Sequence, residues 1–479
     1  SIKDNRFDEL SVYGPIAGAP NIFNVVNLDK SQKKTPKTGW HEQTQSFFYS
    51  LELGWKSQLF VTTTGRNDWA SQLANSPQKS FFYPSVGVSW LPSSTFNFPE
   101  KFNYLKIRAS WASVANPFPR ELTIATHPYD DTISGWDDKS NYPIGQLYPE
   151  RTKTWELGFD ARFLHGFTLS ASWYRADTYN QTFNPNLSAS SGYSDIYIQT
   201  GHVRNTGVEA SLGYDHQWKN WNWNSQFTFS WNKNKIIELC KEWYNPITEE
   251  TITMNRLQIS KLGRAKFILK EGGSMGDLYS TTDLRRDDKG NIEIDEGGNV
   301  VVEDNLPDMK LGSVFPDYNL AWRNSVSWKN LNLGFLVTAR IGGIVNSLTQ
   351  ANMDLFGVSE ATAAARDAGG ALVNGRSLVN PETWYTAIAS QGGIPQYYTY
   401  SATNVRLQEL SLGYTIPRKW LHNICSITVS FVGRNLWMMY CKAPFDPEAV
   451  ASTNNFYQGM DYFMMPSTRN LGFNINIKF

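Results

Sequence analysis

The chain has 479 residues, and 44 Lys and Arg balance 44 Asp and Glu, so its formal net charge is zero. With no net positive charge, the chain does not attract a polyanion electrostatically. We therefore expect no nucleic-acid partner. No apolar run approaches the roughly 18 residues of a spanning helix, which excludes a helical membrane protein.

Residues 1–42 are rich in Pro, Lys and Asn and show no period, so we interpret them as loop. From Phe47 onward, apolar residues alternate with polar ones, which is the pattern of a strand with one buried face. The clear segments are 47–55, 59–63, 86–90, 105–111, 155–163, 167–173, 208–214, 221–231, 320–328, 331–339, 410–416, 427–431 and 471–479. Two weaker segments, near 256–271 and 276–287, bring the prediction to about 15 strands.

The last segment, 471–479, shows the alternation most clearly. Its odd-numbered positions are Leu, Ile or Phe, and its even-numbered positions are Gly, Asn or Lys. Side chains alternate across a strand, so one face is apolar and the other polar. An all-β transmembrane antiparallel β-barrel needs this arrangement, with apolar side chains towards lipid and polar ones towards the lumen. The terminal Phe479 also resembles the end signal of bacterial outer-membrane barrels.

Two further features favour a membrane barrel over a string of β-sandwich modules with buried Trp, which is the alternative. Trp and Tyr recur near strand ends, as at Trp55, Trp173 and Trp328, which is typical of interfacial girdles. Short turns also alternate with long loops. The turns are Lys56-Ser57, His165-Gly166, Lys219-Asn220 and Lys329-Asn330. The loops, which we expect to be extracellular, lie near 116–149, 181–201, 236–255, 288–313, 346–400 and 439–465.

The predicted strand count bears on closure of the barrel. With a periplasmic C-terminus, an odd count of about 15 makes the first strand run inward as well. Residues 1–42 would then be an external loop remnant, and 43–479 the C-terminal portion of a barrel. About seven further strands would give the 22 of the large plugged transporters. Ser1 follows no export signal, so we expect the chain to begin within a longer product.

A set of segments in this order resembles the SusC/RagA-type TonB-dependent transporters. They are TGRNDWAS (64–71), FYPSVGVSW (82–90), LKIRASW (105–111), PERTKTWELGF (149–159), NTGVE (205–209), DDKGN (287–291), NVRLQEL (404–410) and GRNLW (433–437). The resemblance covers nearly all of 43–479 and implies a 22-stranded barrel with an N-terminal plug, TonB energy coupling and a SusD-like lipoprotein. The family's plug and first strands have no counterpart here, so we expect them as a separate chain.

Catalytic and metal-binding signals are weak. Glu156 and Asp160 share one face of a strand, but a spacing of four residues separates them by roughly 13 Å, too far for a paired-carboxylate glycosidase. The acidic stretch that contains Asp287, Asp288 and Asp295 could suggest calcium, yet its spacing does not fit an EF-hand, and a solvated loop tip is favoured. Cys240, Cys425 and Cys441 lack metal-ligand spacing. We expect no enzyme and no cofactor.

The aromatic residues of loop 346–400 are the candidate ligand contacts. Aromatic faces stack on the apolar faces of sugars or on peptide side chains. The candidates are Trp384, Tyr385, Tyr397, Tyr398 and Tyr400. The alternative is that these rings pack the loops onto each other or belong to the outer girdle. A helix over Ser359–Asp367, stopped by Gly369 and Gly370, is predicted beside them.

These patterns together predict part of an outer-membrane active importer for a nutrient too large for porins, either an oligosaccharide or an oligopeptide. We expect loop 346–400 to contact both this substrate and the SusD-like lipoprotein, with TonB supplying energy. The alternatives are a passive outer-membrane barrel or adhesin without energy coupling, and a secreted glycan-binding β-protein.

Overall fold

The structure is a computed structural model that describes residues 1–120, 122, 129–130, 135–136, 141–142, 147–183, 195–199, 201–245, 249–453 and 457–479. Its largest element is a 14-stranded antiparallel sheet in which each strand pairs with the next along the chain. The strands are β1 (Ile2–Leu10), β2 (Lys37–Trp55), β3 (Leu59–Ala70), β4 (Phe81–Trp90), β5 (Phe102–Asn116), β6 (Glu150–Phe163), β7 (Phe167–Tyr179), β8 (His202–Trp218), β9 (Trp221–Glu238), β10 (Tyr318–Trp328), β11 (Leu331–Ile341), β12 (Asn404–Ile416), β13 (Ser426–Cys441) and β14 (Asn470–Lys478). The prediction of an all-β chain built on one antiparallel sheet is confirmed.

The two faces of the sheet differ as the alternation predicts. Apolar side chains are exposed on one face, here called the outer face, where Trp155 and Leu157 on β6 are 56% and 53% exposed. The opposite, inner face carries polar side chains. Arg108 on β5 and Arg340 on β11 line the same cavity on this face, although five strands lie between β5 and β11 in the sheet. The sheet therefore curls around its polar face, as the wall of a barrel does.

Connections at the two ends of the sheet differ in length. At the turn end, β6 and β7 are joined through residues 164–166, and β8 and β9 through residues 219–220. Left-handed backbone at Leu164 (φ 50°) and His165 (φ 53°) makes the first of these turns tight. At the loop end the connections are 11–36, 71–80, 117–149, 180–201, 239–317, 342–403 and 442–469. The expected loops 236–255 and 288–313 are two parts of the single connection 239–317.

The loop end carries short elements of its own, which we call the loop assembly. One sheet contains Arg256–Leu262, Ala265–Lys270, Asp277–Ser280 and Met309–Ser313, and another contains Ile344–Ser347, Thr399–Ser401 and Met460–Asp461. Two-stranded pairs are Cys240–Asn245 with Glu250–Met254, Asp283–Leu284 with Val302–Glu303, Ala371–Val373 with Ser377–Val379, Thr182–Phe183 with Ile198–Gln199, Tyr129–Asp130 with Gly135–Trp136, and Asn141–Tyr142 with Asp195–Ile196.

The helices are short. They are α1 (Pro92–Thr95), α2 (Leu348–Leu355), α3 (Glu360–Asp367) and α4 (Pro381–Ala389), with 3-10 turns at Val25–Asn27, Ser71–Leu73, Ser390–Gly392, Pro395–Tyr397 and Arg418–Leu421. The predicted helix is α3: the Ser359 side chain accepts a hydrogen bond from the Thr362 amide, and Gly369 (φ 77°) follows its end. Within the described residues, no helix is long and apolar enough to cross a membrane.

The interpretation of residues 1–42 as loop is wrong at both ends. Ile2–Leu10 forms the edge strand β1, and β2 already begins at Lys37. The two strands pair from Ile2 opposite Gln45 to Leu10 opposite Lys37, so β1 contacts only the polar, loop-end half of β2. A strand at the loop end, beyond the apolar band, does not need a continuous apolar face. This is why β1 shows no alternation.

The two weak segments near 256–271 and 276–287 do contain strands, but their assignment to the barrel wall is wrong. They belong to the loop assembly, and Phe267, Ile268 and Leu269 are fully buried there, so both faces of the strand are covered. The wall therefore has 14 strands, and the argument from an odd count is wrong. With an even count, β1 runs towards the loop end while β14 runs away from it.

Candidate functional site

Uncharged polar side chains line the inner face of the wall. On β9, every inward position from Asn222 to Asn234 is Asn, Gln, Thr or Ser, while the outward positions include Trp223, Phe227 and Trp231. The full inward row is Asn222, Asn224, Gln226, Thr228, Ser230, Asn232 and Asn234. Amides and hydroxyls both donate and accept hydrogen bonds. This uncharged row can therefore bind hydrogen-bond donors and acceptors of a polar ligand alike.

On the inner face, Arg108 forms ion pairs with two carboxylates. Arg108 Nη1 lies 2.6 Å from Asp160 Oδ2, and its Nε lies 3.6 Å from Glu156 Oε1. The Ser170 hydroxyl donates to the other oxygen of Asp160 at 2.7 Å. The Arg108 guanidinium therefore bridges the two carboxylates. This arrangement fits a structural ion pair in the wall and does not suit general acid–base catalysis.

A cavity of about 550 Å³ lies against this face, lined by residues of six wall strands and by Glu448 of the last long loop. Its charged lining residues are Arg108, Glu209, Arg340 and Glu448, and hydroxyl and amide groups supply most of the remaining polar surface. Arg340 Nη2 donates to the Val314 carbonyl at 2.8 Å, and Arg406 Nη2 lies 3.2 Å from Glu448 Oε2. The cavity has the size of a site for one small unit of a larger polar molecule.

The candidate aromatic residues do not form one surface. Trp384 and Tyr385 lie on α4, which begins where the Asn380 side chain accepts hydrogen bonds from the Glu382 and Thr383 amides. The ring of Trp384 packs edge-on against Tyr397, with centroids 5.9 Å apart. Burial raises the pKa of Tyr397. These two rings belong to the same packed cluster as Tyr398.

Tyr398 is only 2% exposed, and its hydroxyl donates to Asp354 Oδ2 at 3.0 Å. Burial and the Asp354 carboxylate together raise the pKa of Tyr398. Tyr400 packs edge-on against Phe445 at 5.6 Å, and burial, with Asp354, raises its pKa to about 12. The enclosed ring and the occupied hydroxyl of Tyr398 favour the packing alternative, and ligand contact by Tyr398 stays a prediction.

Tyr385 packs against the same cluster and also lines a cavity. It lines a cavity of about 290 Å³ between α2, α3 and α4, together with Asp354, Thr362, Arg366 and Glu382. Burial raises the pKa of Tyr385, so its hydroxyl stays protonated and can donate a hydrogen bond. Ligand contact by Tyr385 stays a prediction.

The acidic candidates Asp287 and Asp295 accept hydrogen bonds within tight backbone turns. The Asp287 side chain accepts bonds from the Lys289 and Asn291 amides, and Asp295 accepts one from the Asn299 amide. Hydrogen bonds from Asn291 lower the pKa of Asp287. Asp288 is exposed beside them. No group of three or more His, Cys, Asp or Glu side chains in the described part of the chain could hold a metal ion.

One motif-like string is structural. Gly272-Gly-Ser-Met-Gly276 matches the GxSxG pattern, but it forms the turn before Asp277–Ser280. The Ser274 hydroxyl donates to Asn234 Oδ1 at 3.3 Å, and the Gly276 amide donates to the Ser274 oxygen at 3.2 Å. Ser274 thus connects the loop assembly to the amide row of β9.

Sequence reasoning missed two features of this end. The first is α4, although Asn380 followed by Pro381 is a helix-start signal. The second is the uncharged row on β9, whose signal is the run of Asn, Gln, Ser and Thr at every second position.

Comparison with known proteins gives one consistent family. A family model described as TonB dependent receptor-like, beta-barrel matches residues 4–338. The chain is 26% identical over 511 residues to TonB-dependent receptor P3 of Formosa agariphila, which covers 97% of this chain and 49% of that protein. It is 21% identical over 404 residues to TonB-dependent receptor SusC of Bacteroides thetaiotaomicron, which covers 78% of this chain and 38% of that protein.

Among solved structures, the RagAB peptide importer in its closed-closed state matches with a TM-score of 0.76 at 18% identity. The match covers 100% of this chain and 53% of that one. At this identity the likeness concerns the fold. The chain spans about half the length, or less, of the curated relatives it matches.

Proposed function

Because this chain belongs to the TonB-dependent receptor family, in the part described as its β-barrel, we propose that it forms part of an active importer. The family places the chain in the bacterial outer membrane. The imported nutrient is a polar oligomer too large for porins, an oligosaccharide or an oligopeptide. TonB supplies the energy, and a SusD-like surface lipoprotein assists at the loop end.

The proposal rests on the two unpaired edges of the 14-stranded sheet. β1 and β14 are the two edges of the sheet and are not paired with each other. An unpaired edge within hydrocarbon leaves backbone groups unsatisfied at several kcal/mol each. About eight further strands between these edges would complete the 22 of the plugged transporters, one more than the sequence predicts. A barrel of that width needs a plug, and a plugged barrel that passes large cargo needs an energy source.

The inner wall supports a polar oligomer as cargo. The row from Asn222 to Asn234 offers hydrogen bonds along more than half of β9, and the cavity beside it presents Arg340 and Glu448 together. Sugar hydroxyls and peptide amides are both satisfied by such groups. The likeness to a peptide importer is compatible with the peptide alternative.

The loop assembly exposes an apolar patch that suits the lipoprotein. Phe356, Val358, Leu372 and Leu378 are each more than 60% exposed around α2, α3 and the Ala371–Val379 hairpin. An exposed patch of this kind marks a protein contact more often than bare surface. We assign it to the SusD-like lipoprotein, in keeping with the expected role of 346–400.

The decisive experiment measures nutrient uptake by cells that carry the whole transporter, with and without TonB. Loss of uptake without TonB supports active import, whereas unchanged uptake supports a passive barrel. Phe356→Asp should reduce copurification of the lipoprotein, and Ile424→Asp is the matched control because it is 68% exposed at the turn end. Equal recovery of the lipoprotein with both variants would contradict the assignment of the apolar patch to the lipoprotein. It would not contradict the proposal of active import.

The passive adhesin is the second candidate function. The large exposed loop assembly suits it, because adhesion needs only a rigid outer surface. The TonB experiment separates the two.

A further inference from the structure

Basic side chains continue the outer face of the wall beyond the apolar band at the loop end. Trp155 on β6, Trp173 on β7 and Trp231 on β9 end the apolar band there. On the same face, two residues past these rings, stand Lys153, Arg175 and Lys233. Successive residues on one face of a strand are about 7 Å apart, so the cations lie just above the aromatic girdle.

A row of charged side chains, three basic and one acidic, crosses four neighbouring strands. Arg204 on β8 is opposite Lys235 on β9 and opposite Asp177 on β7, and Asp177 is opposite Lys153 on β6. Strands are about 4.8 Å apart, so the row spans about 14 Å. Arg175 and Lys233 lie one step closer to the girdle. We call these five cations, Lys153, Arg175, Arg204, Lys233 and Lys235, the basic belt.

Asp177 orders the centre of the basic belt. It accepts from Arg175 Nε at 2.8 Å, from Arg204 Nε at 2.7 Å and lies 2.6 Å from His202 Nε2. These contacts use the Nε atom of each guanidinium, and the Asp177 side chain is only 9% exposed while Arg175 is 41% exposed. The two guanidinium groups are therefore held in place while the Arg175 and Arg204 side chains stay 41% and 29% exposed.

The basic belt has more positive charge than Asp177 can balance. Lys235 stands directly opposite Arg204, and like charges directly opposite in a sheet are destabilising. In the described part of the chain, Lys233 and Lys235 form no ion pair. An anion bound between these side chains would relieve the repulsion, and phosphate is an anion that guanidinium and ammonium groups bind well.

We propose that the basic belt binds the phosphate groups of the outer-leaflet glycolipid. The belt lies on the lipid-facing side of the wall, at the end that the long loops mark as extracellular, so its neighbours are lipid headgroups and not imported cargo. A phosphorylated glycolipid places its acyl chains on the apolar band and its phosphates at the level of the belt. This assignment depends on the outer-membrane location of the wall and not on the transport proposal.

The test uses the whole transporter, purified in detergent, with bis-phosphorylated lipid A as the probe and bound lipid counted by native mass spectrometry. The variant Lys233→Gln with Lys235→Gln leaves the Asp177 contacts intact. Each surface cation contributes about 1 kcal/mol to binding an anionic lipid, so affinity should fall roughly 30-fold. The control is Lys219→Gln with Lys329→Gln, which removes the same charge at the turn end and should leave affinity unchanged.

Two further binding measurements test whether the ligand is a phosphorylated lipid. Lipid A without its phosphates should bind the unmodified transporter as weakly as lipid A binds the belt variant. Inorganic pyrophosphate should displace lipid A only poorly, because it gains nothing from the apolar band. Equal affinities for the belt variant and the control, full binding of dephosphorylated lipid A, or displacement by pyrophosphate at concentrations similar to the lipid would each overturn the proposal.

Discussion

Arg406 and Asp446 form a forked ion pair between the wall and the last long loop. Arg406 Nη2 donates to Asp446 Oδ1 at 2.7 Å and Nη1 donates to Oδ2 at 3.2 Å. Arg406 on β12 is 5% exposed, and the Asp446 side chain is 10% exposed. Burial alone would raise the pKa of Asp446, but the hydrogen bonds from Arg406, the Glu448 amide and Ser467, together with the Arg406 charge, lower that pKa.

Removal of one partner should release this loop. Asp446→Asn removes the buried partner of the guanidinium and leaves it the half-exposed Glu448 carboxylate 3.2 Å away, so the cost should approach, but not exceed, the about 3–5 kcal/mol of a broken buried pair. Amide hydrogen exchange in 442–453 should accelerate while β13 stays protected. The double variant Arg406→Met with Asp446→Leu should exchange more slowly than the single one, because no buried charge is left unpaired. Identical exchange in all three proteins would show that the pair does not hold the loop.

A positive charge on the outer face should impair insertion of the wall. Phe159→Arg or Phe229→Arg should cost about 2–4 kcal/mol near the bilayer midplane, and less near an interface. The matched inner-face control is Thr228→Ser, beside Phe229. Asp160 does not suit this control, because it binds Arg108 and Ser170. Folded yield in lipid vesicles measures the difference, and equal yields would reverse the assigned faces.

Acid should loosen the loop assembly at Asp308. Arg256 donates to both its carboxylate oxygens, at 2.6 and 2.8 Å, and Lys270 lies 3.0 Å away. The hydrogen bonds from Arg256 lower the pKa of Asp308 from 3.8 to about 2. A lowered pKa stabilises the folded form above pH 3.8, and this contribution of about 2 kcal/mol is lost as the pH falls towards 2. Proteolysis of 250–313 by an acid-active protease should rise over that range, and Asp308→Asn should be cleaved readily even at pH 5. A flat profile for the unmodified chain would contradict this.

Two tyrosines of loop 346–400 should behave differently. Tyr398→Phe removes a donor from the buried Asp354 carboxylate and should cost about 1–3 kcal/mol, seen as faster proteolytic cleavage of the loop. Tyr385→Ala should leave cleavage unchanged and lower uptake, because its ring lines an open cavity. Normal uptake by Tyr385→Ala would limit the whole aromatic group to packing.

The free edges should make this chain dependent on further strands. Expressed alone, it should aggregate or fail to insert, because β1 and β14 expose unpaired backbone. Coexpression with the N-terminal portion of the transporter as a separate chain should rescue a heat-modifiable barrel. A stable barrel from this chain alone would contradict the proposed 22-stranded assembly.

The sequence predicts the wall best where lipid and water enforce the pattern. Every outward position is apolar along β6 from Trp155 to Phe163 and along β7 from Phe167 to Trp173, so alternation alone identifies both strands and their turn. β1 lacks this signal because it pairs with the polar half of β2, where neither face needs to be apolar.

The loop assembly is less predictable because its strands are covered on both faces. Phe267, Ile268 and Leu269 form a continuous apolar run that fits a wall strand or a loop core equally well, and only tertiary packing decides between them. The same holds for Tyr398: composition shows an aromatic loop, but burial against Asp354 depends on contacts between residues 44 positions apart.

The sheet of Ile344–Ser347, Thr399–Ser401 and Met460–Asp461 has a mechanical consequence. Ser347 accepts from the Gln350 amide at the start of α2 and donates to Asp461 Oδ2 at 2.6 Å, so the last two long loops share one hydrogen-bonded joint. Gly342 (φ 81°) and Gly343 (φ 80°) lie immediately before this sheet, where β11 ends. Because the joint couples the two loops, we expect a displacement of one loop to be passed on to the other, so that neither moves independently at this point.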